Sequence, residues 1–161
     1  MTTIPLTKGQ VGFIDDQDAE VINRHKWTAV NSSHDKTFYA HRSVKVDGKW
    51  KHLRLHRFLL NAPKNKKVDH IDGNGLNNVR SNLRLCTHAQ NLMNMRCHNK
   101  HGLKGIAFIA KRKGLRKWLS KIHINGKLKT IGIFETKIQA AKAYNEMARK
   151  HFGEFARLNP V

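Results

Sequence analysis

Apolar positions along this chain come in short runs, each closed by a turn signal. Residues 11–14 (VGFI) read as a strand, as do residues 37–46, where Phe38, Ala40, Val44 and Val46 mark one face before the Asp47-Gly48 turn. Between them, residues 15–25 carry Val21 and Ile22 and suit a short helix. The run LRLHRFLL from Leu53 predicts a short buried helix ending near Pro63, followed by a polar loop. In VDHIDGNGLNNVRSNLRLCT, Asn and Gly crowd positions that demand turns or positive φ. Thr87 and Gln90 then have capping-box spacing, so a helix is expected to start at Thr87 with Asn91 one turn inside.

The same cap signature recurs at Thr136 and Gln139 and predicts a helix over 137–152 closed by Gly153. Its apolar positions Ile138, Ala141, Tyr144, Ala148 and Phe152 step by three and four, and Ala140 and Ala143 allow close approach to a sheet. Three candidate strands supply that sheet: 105–110, 117–124 and 127–133, the last two joined at Asn125-Gly126. A two-residue turn there would put Ile122 and Ile124 on one face with Lys127 and Lys129, so a bulge or longer loop is expected to shift the register. The fold class is α+β. A β-rich segment (1–52) leads into a compact strand, loop and helix module (53–95), and a basic linker (96–103) connects it to a small three-stranded sheet packed on one helix (104–161).

Charge changes the picture most. Against 31 Lys+Arg stand 11 Asp+Glu, a formal net charge of +20, and no acid occurs between residues 73 and 134. An excess so distributed implies a polyanionic partner, and nucleic acid, DNA or RNA, is favoured over an anionic membrane because no basic helix with a broad apolar face accompanies it. No apolar run approaches the ~18 residues that span a bilayer. The first ten residues lack the charged start and apolar stretch of a secretory signal, so a cytoplasmic location is expected. Cys86 and Cys97 form no CxxC pair, and a structural zinc through Cys97, His98 and His101 is the weaker reading.

The chemistry concentrates at Asp69-His70. Phosphodiester hydrolysis needs a deprotonated water, a cation against the charge on phosphorus and a neutralised leaving oxygen. Adjacent strand residues point to opposite faces, so a carboxylate and an imidazole can share one site only if a turn follows and a second element closes it. DHIDGNGLNN supplies the turn and Asn91 a second oxygen donor. Few, hard oxygen ligands suit Mg2+, with Mn2+ as the alternative, and no small-molecule cofactor is called for. Asp72, Asn74, Asn77 and Asn78 are read as turn formers rather than calcium ligands.

Read together, VDHIDGN and NNVRSNLRLCTHAQN resemble the HNH nuclease motif of phage and homing enzymes, over about residues 56–94. The resemblance implies a ββα-metal fold in which Asp69 is the first metal ligand, His70 the general base and Asn91 the second ligand. It makes Asn82 a structural asparagine that pins the loop, His56 a supporting residue and Asn94 the alternative ligand. The CxxC pairs of better-known HNH proteins are missing, so the segment before His56 is expected to supply the core that a zinc clip would otherwise replace.

Residues 104–159 resemble the Apetala-two-type DNA-binding domain through Lys104-Gly105-Ile106, the stretch from Trp118 to Ile122, Ile131 to Phe134, AAKAY and the final FARLN. That resemblance implies a sheet laid in the major groove and makes Lys111, Arg112, Lys113, Arg116, Lys121, His123 and Lys129 the DNA-facing candidates, with Trp118 either a sugar-packing contact or part of the core. Ala107 and Thr130 depart from the family pattern. The expected activity is metal-dependent cleavage of double-stranded DNA; a non-enzymatic DNA-binding regulator on a degenerate scaffold is the alternative.

Overall fold

The computed structural model describes residues 1–31, 37–97, 99–110 and 116–161. Lys111, Arg112, Lys113 and His98 lie outside the described residues, as does the side chain of Arg116. The chain divides into two compact units, Met1–Asn91 and Leu92–Val161. Among the described residues no helix is long and apolar enough to cross a membrane.

The first unit opens with an antiparallel hairpin of β1 (Thr2–Pro5) and β2 (Val11–Ile14), then α1 (Ala19–Asn23). A second antiparallel sheet has the order β3 (Thr28–Asn31), β4 (Phe38–Val46), β5 (Lys49–Arg54), and α2 (Leu55–Leu59) follows directly. Asp47 and Gly48 take φ of 52° and 74°, the left-handed pair of a tight hairpin turn. The unit ends with the hairpin β6 (Lys67–His70) and β7 (Leu83–Cys86) and enters α3 (His88–Asn94).

Ile4, Ile14, Ile22, Trp27, Ala40, Leu55, Leu59 and Leu83 form one core, so the segment before His56 does supply apolar packing to the β6–β7 hairpin. Of the expected helix pair only Ile22 is buried, and Val21 is 45% exposed. The guanidinium of Arg42 stacks over Trp27 and Phe58, at 5.7 and 6.0 Å from the ring centroids, on the face of β4 that also carries Ala40.

The second unit is an antiparallel sheet in the order β8 (Ile106–Ala110), β9 (Arg116–Ile124), β10 (Lys127–Phe134), packed on α4 (Lys137–Phe152). Thr136 and Gln139 form the reciprocal capping box at the start of α4. Leu103, Ile106, Ile122, Ile124, Ala140, Ala141, Tyr144, Ala148 and Phe152 are its core, whereas Ile138 is 56% exposed although it fits the helical period.

The Asn125-Gly126 turn is the tight two-residue kind, with Ile124 paired to Lys127; the expected bulge lies further along, between Thr130 and Gly132. Lys129 therefore does sit across from Ile122 and shares its face.

The stretch expected to be a linker is integrated instead. Leu103 is buried, the Asn99 amide donates to the carbonyls of Leu103 and Ile106, and the Lys104 ammonium donates to those of Leu92, Met93 and Met95. The Lys104 ammonium thus serves carbonyls that the C-terminal end of α3 cannot satisfy itself.

Candidate active site

Asp69 and His70 end β6, and both are buried, at 6% and 5% exposure. Antiparallel register sets Asp69 across from Arg84 and His70 across from Leu83, so the carboxylate shares its face with the guanidinium. Arg84 Nε and Nη2 both donate to Asp69 Oδ2, at 2.9 and 2.8 Å. On the other side of the strand the His70 ring meets two further rings. His56, from α2, lies edge-on to it with centroids 5.0 Å apart, and Tyr39, from β4, is 5.8 Å away and 5.7 Å from His56.

The β6–β7 loop is held by its own amides. Asn82 accepts from the Asp72 N–H at 3.0 Å and donates to Asp72 Oδ1 at 3.0 Å and to the Asn77 carbonyl at 2.8 Å. Asp72 and Asn74 accept from the N–H groups two residues on, at 2.7 and 3.1 Å, as Asx turns do. At Gly75 an added Cβ would lie 2.4 Å from the Phe38 carbonyl oxygen and 2.6 Å from the Tyr39 ring, so only glycine lets the loop lie this close to β4.

Strand β2 braces the far side of the loop. The Phe13 N–H donates to the Leu76 carbonyl at 2.9 Å, and the Asn78 N–H donates to the Phe13 carbonyl at 2.8 Å. Asn78, fully buried, is thereby aimed at the site. Its Nδ2 donates to the Leu76 carbonyl at 3.1 Å, which leaves Oδ1 facing His70 Nε2 at 3.3 Å. An acceptor opposite Nε2 assigns the proton to that nitrogen and leaves Nδ1 as the basic one.

Burial pushes the His70 pKa below the usual 6.5, against the opposing pull of Asn78, Asp72 and Asp69. Burial, with the charges of His70, Arg54, His41 and Arg57 behind it, pushes His56 down to about 2, and its buried Nδ1 has no hydrogen-bond partner. Both rings are therefore neutral at physiological pH. For Asp72, burial acts upward but is outweighed by the bonds from Asn74, Asn77 and Asn82, so its carboxyl sits below its usual range.

Asn91 lies half-buried on α3, one turn past Thr87, whose hydroxyl and Gln90 side chain form the expected capping box at 3.2 and 2.8 Å. Asn94 is buried one turn later. Among the described residues no group of three or more His, Cys, Asp or Glu is arranged to hold a metal. Cys97 Sγ accepts from the Asn99 N–H, and His101 lies edge-on to Trp118. The groups gathered at β6 are thus the Asp69 carboxylate, held by Arg84, and the His70 imidazole with His56 against it. A carboxylate oxygen suits a hard divalent ion that retains several waters.

In the second unit, alternation along β9 turns Trp118, Ser120, Ile122 and Ile124 toward α4, and Lys121 and His123 away. Trp118 packs on the core with Phe108 at 5.1 Å, and Lys129 shares the face of Ile122. Neither belongs to the face that carries Lys121 and His123: Trp118 takes the core position, one of its two expected roles, and Lys129 lies apart from the strand face it was grouped with. Arg84 and Tyr39 were not singled out from sequence, and Asn78 was read only as a turn former; the cross-strand position of Arg84, deducible once the hairpin register is known, offered a signal.

A family model described as HNH endonuclease matches residues 61–93. The chain is 32% identical over 161 residues to a protein of Acanthamoeba polyphaga mimivirus named as an uncharacterized HNH endonuclease, covering 96% of this chain and 77% of the other. It is also 34% identical over 97 residues to Protein 3.8 of Escherichia phage T7, covering 59% of this chain and 77% of that one. The family model does not extend into the sheet-and-helix unit. No solved structure matches the chain.

Proposed function

The chain belongs to the HNH endonuclease family, and from that premise we propose that it hydrolyses phosphodiester bonds of double-stranded DNA at a site built on Asp69, His70 and Asn91. The observation that carries the proposal is the setting of His70. Its imidazole is buried, burial lowers its pKa, and its Nε2 faces Asn78 Oδ1 at 3.3 Å. A base for water must be neutral before it acts and fixed in orientation while it acts, and this arrangement meets both needs.

Asp69 and Asn91 would hold a divalent ion, Mg2+ or Mn2+, and bound there it would supply Lewis-acid stabilisation of charge on phosphorus and the leaving oxygen. His70 takes the proton from the attacking water. Asn82 and Asn78 keep the loop and the imidazole in place. His56 and Tyr39 wall the ring away from bulk water.

The C-terminal sheet, which resembles the Apetala-two type in sequence, is proposed to grip the duplex through the face bearing Lys121 and His123 and through the basic run from Lys111 to Arg116. The absence of acids between residues 73 and 134 supports this role. Binding should accordingly weaken steeply as salt rises.

Supercoiled plasmid incubated with the protein and Mg2+ tests the reading, with chelator and the His70→Ala variant alongside. The expected result is relaxed or linear product only with metal and the intact imidazole. Cleavage by His70→Ala at the parent rate would reject His70 as the base, and cleavage undiminished by chelator would reject the metal.

A further inference from the structure

Arg84 creates a difficulty that the nuclease reading must resolve. Its fork closes on one oxygen of Asp69, and the two side chains are only 12% and 8% exposed. A carboxylate already neutralised by a buried guanidinium is a poor ligand for a divalent cation, because both cations would sit side by side with little water to screen them. Moving the guanidinium away is equally unfavourable unless it finds another anion. The reaction brings one: a DNA phosphodiester offers the paired oxygens that the Arg fork fits.

We propose that Arg84 is a charge-exchange latch. It holds Asp69 while no DNA is bound, transfers to a phosphate of the arriving strand, and so releases the carboxylate for the metal. Metal and duplex then bind cooperatively, and a metal-loaded centre does not persist away from DNA. The inference rests on Asp69 being a metal ligand, as proposed above. Linkage requires reciprocity: the factor by which duplex tightens metal binding equals the factor by which metal tightens duplex binding.

The test measures Mn2+ affinity calorimetrically in the His70→Ala protein, which leaves DNA intact, with and without a duplex spanning a cut mapped in the plasmid assay. Asp69→Ala in the same background gives the Mn2+ bound by the duplex itself. The expected result is at least about tenfold tighter Mn2+ binding with duplex, within the usual range of coupling between two sites. Arg84→Met should bind Mn2+ more tightly than its parent without DNA and should lose the coupling. Equal Mn2+ affinity with and without duplex in the parent overturns the latch, and this arm stands even if Arg84→Met does not fold. Coupling retained in a folded Arg84→Met protein also overturns it. Parent binding no stronger than that of Asp69→Ala removes the metal assignment and the latch with it, whereas the first two outcomes leave the nuclease reading intact.

Discussion

His56 should make the protein acid-labile in a way that one substitution removes. Its ring is 3% exposed and its pKa is pushed from 6.5 to about 2, chiefly by burial. Above pH 6.5 the residue is neutral in both folded and unfolded chains and has no influence on stability. Below 6.5 the unfolded chain takes up a proton that the folded chain refuses, so stability falls with pH until the folded value is reached. One such proton is worth about 1.4 kcal/mol per pH unit. Between pH 6.5 and 4.5 the loss is therefore about 2 kcal/mol, a sizeable share of the roughly 5–15 kcal/mol that holds a domain together. His56→Phe keeps a ring against Tyr39 and His70 but cannot titrate. Urea unfolding followed through the buried Trp27, which shares this core, reads the difference at a series of pH values. The parent midpoint should fall between pH 6.5 and 4.5 by about 1–2 M more than the variant midpoint, given typical urea slopes. His70, also depressed, contributes acid lability to both proteins, and the comparison reads the excess in the parent. Equal pH slopes for the two proteins would refute the account of a buried neutral imidazole.

Two further substitutions probe the scaffold. Asn82→Ala deletes one bond accepted from the Asp72 N–H and two donated to Asp72 and Asn77, and should cost about 2–3 kcal/mol with a fall in cleavage rate, since the same loop carries Asn78. An unchanged urea midpoint would contradict the pinning role. Gly105→Ala should destabilise the second unit by about 2–4 kcal/mol, because its φ is +75° and the new Cβ would lie 2.2 Å from the Tyr144 ring and 2.4 Å from the Lys121 carbonyl. Thermal unfolding within about a degree of the parent would show that the neighbours yield instead.

What could be read in advance was local. The capping boxes at Thr87 and Thr136, the Asp47-Gly48 and Asn125-Gly126 turns and the helical period of α4 each involve residues within a few positions of one another, so spacing alone encodes them. Strand β5 escaped notice because its residues are exposed almost throughout and show no alternation. Strands β1 and β3 each bury a single residue, so no alternation registers, whereas β2, equally short, buries two.

The site divides in the same way. Asp69, His70 and Asn91 stand out through residue type and order, but their environment is assembled across the fold. Tyr39 arrives from β4, His56 from α2, and Asn78 is braced by the backbone of Phe13. Arg84 becomes visible only once Asp69 is known to pair with it in register. The proposed catalytic residues are thus legible as a motif, whereas the groups that surround them follow from topology. A reading confined to the motif names His70 as the proposed base and misses the burial that lowers its pKa, the Asn78 oxygen that faces its Nε2 and the guanidinium that holds the carboxylate beside it.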